Sequence, residues 1–157
     1  MHIRDAVAAD AAAACAVLRR SITDLCVPDH ARDPAVLRRW LANKTPETVA
    51  TWIARQDNSV LVAVVGEALL AVGAVTDAGE ITLNYVSPDA RFRGVSRAML
   101  AALEARAAAR GNTRCTLLSS GTARRFYLTA GYVEDGAEPG KFGTPASYPM
   151  SKALTPS

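Results

Sequence analysis

The stretch Arg91-Phe92-Arg93-Gly94-Val95-Ser96-Arg97 sets arginines around a glycine and a serine, directly before a run that reads as a strong amphipathic helix. Such a set suits a diphosphate. The first turn of a helix presents unpaired backbone N–H groups and a partial positive charge, which together attract phosphate. Gly94 leaves no Cβ between backbone and ligand, and Ser96 is small and carries a hydroxyl donor. Arg91, Arg93 and Arg97 supply the charge. The alternative is a solvated, arginine-rich helix start with an incidental glycine, and the pattern alone does not separate the two.

A second stretch, Ser120-Gly121-Thr122-Ala123-Arg124-Arg125-Phe126-Tyr127-Leu128-Thr129-Ala130-Gly131-Tyr132, places Phe-Tyr inside a short helix closed by Gly-aromatic. Alone it also reads as a helix with an aromatic core face and a glycine C-cap. Two further groups invite chemistry. Glu80 heads an apolar run, and His30 lies four residues after Cys26.

The elements that position these groups follow from hydrophobic periodicity. His2 to Ala6 reads as a strand, and Asp10 as the cap of a helix reaching about Leu25. Asp33-Pro34 and Thr45-Pro46 are helix starts, each a cap followed by proline. Ser59–Val65, Leu69–Thr76 and Glu80–Ser87 read as strands, the last two joined by the turn Asp77-Ala78-Gly79. In the third strand, alternation sends Ile81, Leu83 and Tyr85 to one face and Glu80, Thr82 and Asn84 to the other. Ser96–Arg110 is a helix, Thr113–Leu118 a strand, Thr122–Thr129 a helix, and Tyr132-Val133 opens a strand. The last strand lies near Tyr148–Leu154, where Pro149 argues against a central position. The order gives a single α/β domain over residues 1–157: a mixed, mostly antiparallel sheet of about six to seven strands with about four to five helices. It is not the repeating βαβ pattern of a dinucleotide-binding domain.

Together the two motifs and their order resemble the GNAT superfamily of acyl-CoA N-acyltransferases, firmly over about residues 59–133. The resemblance implies that Arg91 to Ser96 wraps the pyrophosphate of acetyl-CoA, with serine standing where the family usually has glycine or alanine. It implies that Ser120, Ala123, Phe126, Tyr127, Gly131 and Tyr132 form the second motif, with serine replacing asparagine at its head. It implies that the backbone of Asn84, Tyr85 and Val86 holds the pantetheine arm, and that the partners are acetyl-CoA and an amine acceptor. A homodimer is an expectation of the same kind. In that setting Tyr127 is a hydrogen-bond donor to the departing sulfur. Glu80 is a candidate general base, directly or through water, with a surface charge after a turn as the equal alternative. Asn84, on the same face, is placed to orient water or substrate.

Other residues weigh less. Cys15, Cys26 and Cys115 fit neither a disulfide framework nor metal-ligand spacing, so no metal is expected. A Cys26–His30 nucleophile lacks a third member to orient it. His30 as a helix-capping loop residue is preferred over a second base. Trp40 and Trp52 read as core. Asp24, Asp29, Asp33 and Glu47 hint at a cationic acceptor, although helix caps account for several of them.

Half of the residues are hydrophobic and 21% are charged, with a formal charge of +3. Of 18 basic residues only Lys44, Lys141 and Lys152 are lysines, and no basic run interleaves with aromatics, which disfavours nucleic acid. No apolar run approaches the ~20 residues of a membrane span. The opening residues lack a secretion pattern, so a cytoplasmic location is expected. A non-catalytic acyl-CoA-binding module is the competing class of function.

Overall fold

The computed structural model describes residues 1–155. A short strand β1 (His2–Asp5) leads into α1 (Ala11–Leu25), α2 (Val27–His30), α3 (Pro34–Leu41) and α4 (Pro46–Ala54). Local chemistry starts two of these helices as the sequence implies. Asp33 accepts from the Ala35 N–H and Thr45 from the Thr48 N–H, each with proline at the first helical position. Asp10 behaves differently. Its carboxylate accepts from the Val7 N–H at 2.7 Å and is held by Arg4, so it closes the turn before α1 and leaves α1 without a side-chain cap.

Next come β2 (Asn58–Val65), β3 (Ala68–Thr76), β4 (Glu80–Val86), α5 (Val95–Ala109), β5 (Arg114–Ser120), α6 (Arg124–Thr129), β6 (Val133–Glu134), β7 (Glu138–Pro139) and β8 (Ala146–Ala153). They form one eight-stranded sheet in the order β1-β2-β3-β4-β5-β8-β6, with β7 also on β8. The strand beyond the seven expected is β7, whose two residues are too few to show alternation. Among the described residues only β4 and β5 run parallel, and α5 is the crossover that a parallel pair requires.

Helices cover both faces. Ala14, Leu18 and Val49 pack with Val60, Val62, Val72 and Ala74 on one face. Met99, Leu100 and Leu103 of α5 pack with Leu61, Ala71, Val75, Cys115 and Leu117 on the other. Burial on both faces explains why β2 and β3 read as near-continuous apolar runs. The α5 helix lies directly on the sheet at Gly73, where a Cβ would fall 2.7 Å from Met99 Sδ.

Pro149 does occupy an interior strand, contrary to expectation, since β8 runs between β5 and β6. The reason is local. Its carbonyl accepts from the Asp135 N–H just beyond β6, so the missing donor faces the side where pairing is already ending. The ladder to β5 is intact on the other side.

Candidate active site

Pairing between β4 and β5 covers only Glu80↔Thr116 and Ile81↔Leu117. From Thr82 onward the two strands part, and β5 continues against β8 alone. The β5-facing edge of β4 beyond Ile81 therefore has no strand partner, and its backbone groups need some other one. A cleft of about 920 Å³ opens there, at the carboxyl ends of the parallel strands and beside the start of α5. Such a position is where open α/β sheets bind ligands.

One extra residue on β4 shapes this cleft. Ala74 pairs with Leu83 but Val75 pairs with Ile81, so Thr82 is bulged out of register. The simple alternation expected for β4 is thereby overturned. Ile81 packs with Val75 and α5, whereas Leu83 and Tyr85 pack on the opposite face with α1. Asn84 turns to the face of Ile81 and meets Tyr127. Glu80 and Asn84 do not share a face.

At one end of the cleft the chain enters α5 through a strained turn. Phe92 and Gly94 both have positive φ, +65° and +76°. Gly94 is the N-cap of α5 and, lacking a side chain, makes no capping bond. The first N–H groups of α5 thus have no side-chain cap. Among the described residues, a Cβ built on Gly94 would meet no atom within 4 Å beyond its chain neighbours, so it would project into open space beside them. Arg91, Phe92, Gly94, Val95, Ser96 and Arg97 all line the cleft, while Arg93 does not. The Arg91 guanidinium lies 4.4 Å from the centre of the exposed Phe92 ring.

Deeper in, Tyr127 is 7% exposed, with its ring edge-on to Phe126 and Tyr132. Burial pushes its hydroxyl up to about 12, opposed in part by the Asn84 amide. Asn84 Oδ1 is buried and, among the described residues, has no hydrogen-bond partner. Asn84, Tyr85, Val86, Ser120, Ala123 and Phe126 line the same cleft. Ser120 Oγ accepts from the Ala123 N–H and so closes the turn that leads into α6.

Of the expected groups, Glu80 stands apart. It is exposed at the paired end of β4 and absent from the cleft lining. His30 is 1% exposed, with Nε2 at 3.0 and 3.1 Å from the carbonyls of Ile22 and Thr23, and Nδ1 accepting from the Arg32 N–H. It caps the end of α1, as preferred from the sequence. Cys26 does line the cleft, but burial, and then Asp29, push its thiol up to about 12, which removes the thiolate a nucleophile needs.

Sequence reasoning missed the role of Asp29. It is buried, and its carboxylate accepts from the N–H groups of Gly121 and Thr122, at 2.8 and 3.1 Å, and from the Thr122 hydroxyl. The loop that launches α6, and with it Tyr127, is clamped across 92 residues of sequence. Asp29→Ala leaves those donors without their acceptor and is expected to cost about 1–3 kcal/mol, read from the denaturant midpoint. Asp29→Asn, which retains one carbonyl oxygen, should recover part of that loss.

A family model described as an acetyltransferase (GNAT) domain matches residues 26–154. This chain belongs to the GNAT acetyltransferase family. No curated protein matches the sequence at a significant level. Among solved structures, this GNAT domain is similar to a GCN5-related N-acetyltransferase of Rhodopseudomonas palustris. That match has 25% identity and a TM-score of 0.87, covering 98% of this chain and 95% of that one. It also resembles the PaiA N-acetyltransferase of Thermoplasma acidophilum, solved with coenzyme A, at 18% identity and TM-score 0.78 over 97% and 98% of the two chains. A third likeness, to yncA of Salmonella typhimurium solved with acetyl-CoA, has 20% identity and TM-score 0.75 over 100% and 95%. The last two likenesses show the GNAT fold. No helix among the described residues is long and apolar enough to cross a membrane.

Proposed function

We propose that this protein transfers the acetyl group of acetyl-CoA to a primary amine within a ternary complex. The observation that carries this reading is the parted β4–β5 pair, which puts the uncapped start of α5 and the Tyr127 hydroxyl in one cleft. The diphosphate sits on the turn from Arg91 to Ser96, and Arg97 adds charge beside it. The pantetheine arm takes the place of the missing strand partner along Asn84, Tyr85 and Val86. Two relatives of the same fold, solved with coenzyme A and acetyl-CoA, support that ligand class.

In the reaction the amine nitrogen attacks the thioester carbonyl, a C–N bond forms, the C–S bond breaks, and coenzyme A leaves as its thiolate, which then takes a proton from water. Tyr127 donates a hydrogen bond to the sulfur as negative charge grows there. The buried Asn84 Oδ1 accepts an N–H from the arm or the incoming amine. Among the described residues no Asp, Glu or His lines the cleft, so the amine proton leaves through water. Glu80, exposed at the paired end of β4, takes part only as the far end of such a chain.

The test is thiol release from acetyl-CoA across a panel of amines. Amine-dependent release, with the acetylated amine recovered in equal amount, supports the reading. Tight coenzyme A binding with no release from any amine, unchanged by Tyr127→Phe, would instead favour a binding module.

A further inference from the structure

The cleft wall around Trp40 carries a charge pattern opposite to the one the sequence suggested for the acceptor. Asp29 and Asp33 are committed to backbone N–H groups, and neither they nor Asp24 and Glu47 line the cleft. Two of the protein's lysines do line it, Lys44 and Lys141. Lys44 is 5% exposed. Its ammonium donates to Asn43 Oδ1 at 2.7 Å and sits 5.1 Å from the centre of the Phe142 ring. Among the described residues it pairs with no carboxylate. A cation so enclosed is costly unless something neutralises it. Burial, and then the neighbouring Lys141, bring Lys44 down to about 8.

Its position is built rather than incidental. The Lys44 carbonyl accepts from Arg19 at 2.9 Å and from the Cys15 thiol at 3.1 Å, which pins the residue to α1. From the other side, the turn Lys141–Gly143 lays Phe142 against Trp40, rings stacked at 6.0 Å and 15°. Phe142 does so with φ +60°, a conformation uncommon for a side-chain-bearing residue. Two separate segments thus hold an ammonium against an aromatic wall, inside the cavity that also holds Tyr127.

We propose that, given acetyl transfer as the reaction of this cleft, its acceptor is an amine that also carries a carboxylate, which pairs with Lys44 while the apolar part of the molecule lies on Trp40 and Phe142. Cationic surroundings also favour the neutral form of the reacting amine, the form that attacks. A polyamine meets the opposite: like charge at Lys44 and Lys141 and, among the described residues, no carboxylate in the cleft to hold it.

The experiment has a kinetic arm and a binding arm. In the first, kcat/KM is compared for phenylalanine and its amide, for 4-aminobutyrate and its amide, and for spermidine. The acid is expected to exceed its amide by about tenfold or more, the worth of one charge-assisted hydrogen bond. In Lys44→Met that ratio falls towards one, and in Lys141→Gln, at an exposed position, it falls part of the way. In the second arm, phenylacetate and phenylacetamide are titrated into the coenzyme A complex by calorimetry. The acid should bind more tightly to the wild type, and equally with its amide to Lys44→Met. Equal use of acid and amide, a preference for spermidine, or an acid-to-amide ratio untouched in a folded Lys44→Met overturns the proposal. If no amine is turned over, acetyl transfer itself fails, and the phenylacetate comparison alone decides whether Lys44 holds an anion.

Discussion

Gly94→Glu is expected to weaken coenzyme A binding by about a hundredfold or more while the protein still folds. Two costs must be kept apart. The first is conformational: Gly94 has φ +76°, and a residue with a Cβ is strained there by about 1–3 kcal/mol. That is a minor part of the ~5–15 kcal/mol that typically holds a domain together. A carboxylate beside the uncapped N–H groups of α5 also recovers some of it through the helix dipole. The second cost falls on the ligand. The added side chain enters space that no atom of the described residues beyond its chain neighbours occupies within 4 Å, which is the space proposed for the diphosphate. There it adds bulk and sets a negative charge against phosphate, a repulsion of about 4 kcal/mol at ~4 Å for an effective dielectric near 20. Gly94→Ala separates the two costs, since it carries the strain without the charge. It should melt at or slightly below the glutamate variant, which keeps the dipole gain, yet bind coenzyme A with an affinity nearer the wild type. Isothermal titration beside thermal melts reads both quantities. Wild-type affinity in a folded Gly94→Glu would remove the phosphate grip from this turn.

What could be read in the sequence was what neighbouring residues decide. Asp33-Pro34 and Thr45-Pro46 start helices because cap and proline act within one turn. The turn from Arg91 to Ser96 announces itself for the same reason: glycine, charge and helix start are adjacent. The faces of β4 could not be read so simply. Alternation is exact only without a bulge, and the extra residue at Thr82 reverses every later side chain relative to Glu80. Nothing local marks that bulge, because the strain and the gain both lie in pairing with β3. Asp29 was legible as a carboxylate but not as the clamp on Gly121 and Thr122, a contact that only the tertiary fold creates. Lys44 and Lys141 meet for the same reason. Their residue types were visible and their convergence on one wall was not, so the acidic residues nearest in sequence gave the wrong sign for that wall.

Tyr127→Phe is expected to lower kcat by about 10- to 100-fold with little change in the affinity for acetyl-CoA. The ring stays: phenylalanine keeps the edge-on contacts with Phe126 and Tyr132, so the variant should fold. On the proposed mechanism, what goes is one hydroxyl donor to a sulfur that becomes charged only as the C–S bond breaks, so the loss falls on turnover. The placement of Tyr127 also decides how far its proton moves. With the hydroxyl pushed up to about 12 and an ordinary thiol near 8.5, full transfer to the thiolate is uphill by roughly 3.5 units, or about 5 kcal/mol. On the proposed mechanism the proton therefore stays on oxygen and the hydroxyl acts by hydrogen bonding alone. Because burial raises this group, it keeps its proton well above neutrality, so its own ionisation should cause no fall in kcat below about pH 10. The Phe variant should then trace a pH profile of the same shape at lower height. Loss of a limb between about pH 7 and 9 in that variant would mean that Tyr127 ionises there, as a true proton donor with a lowered pKa. The aromatic packing around it would then have to be read as tuning an acid rather than fixing a donor.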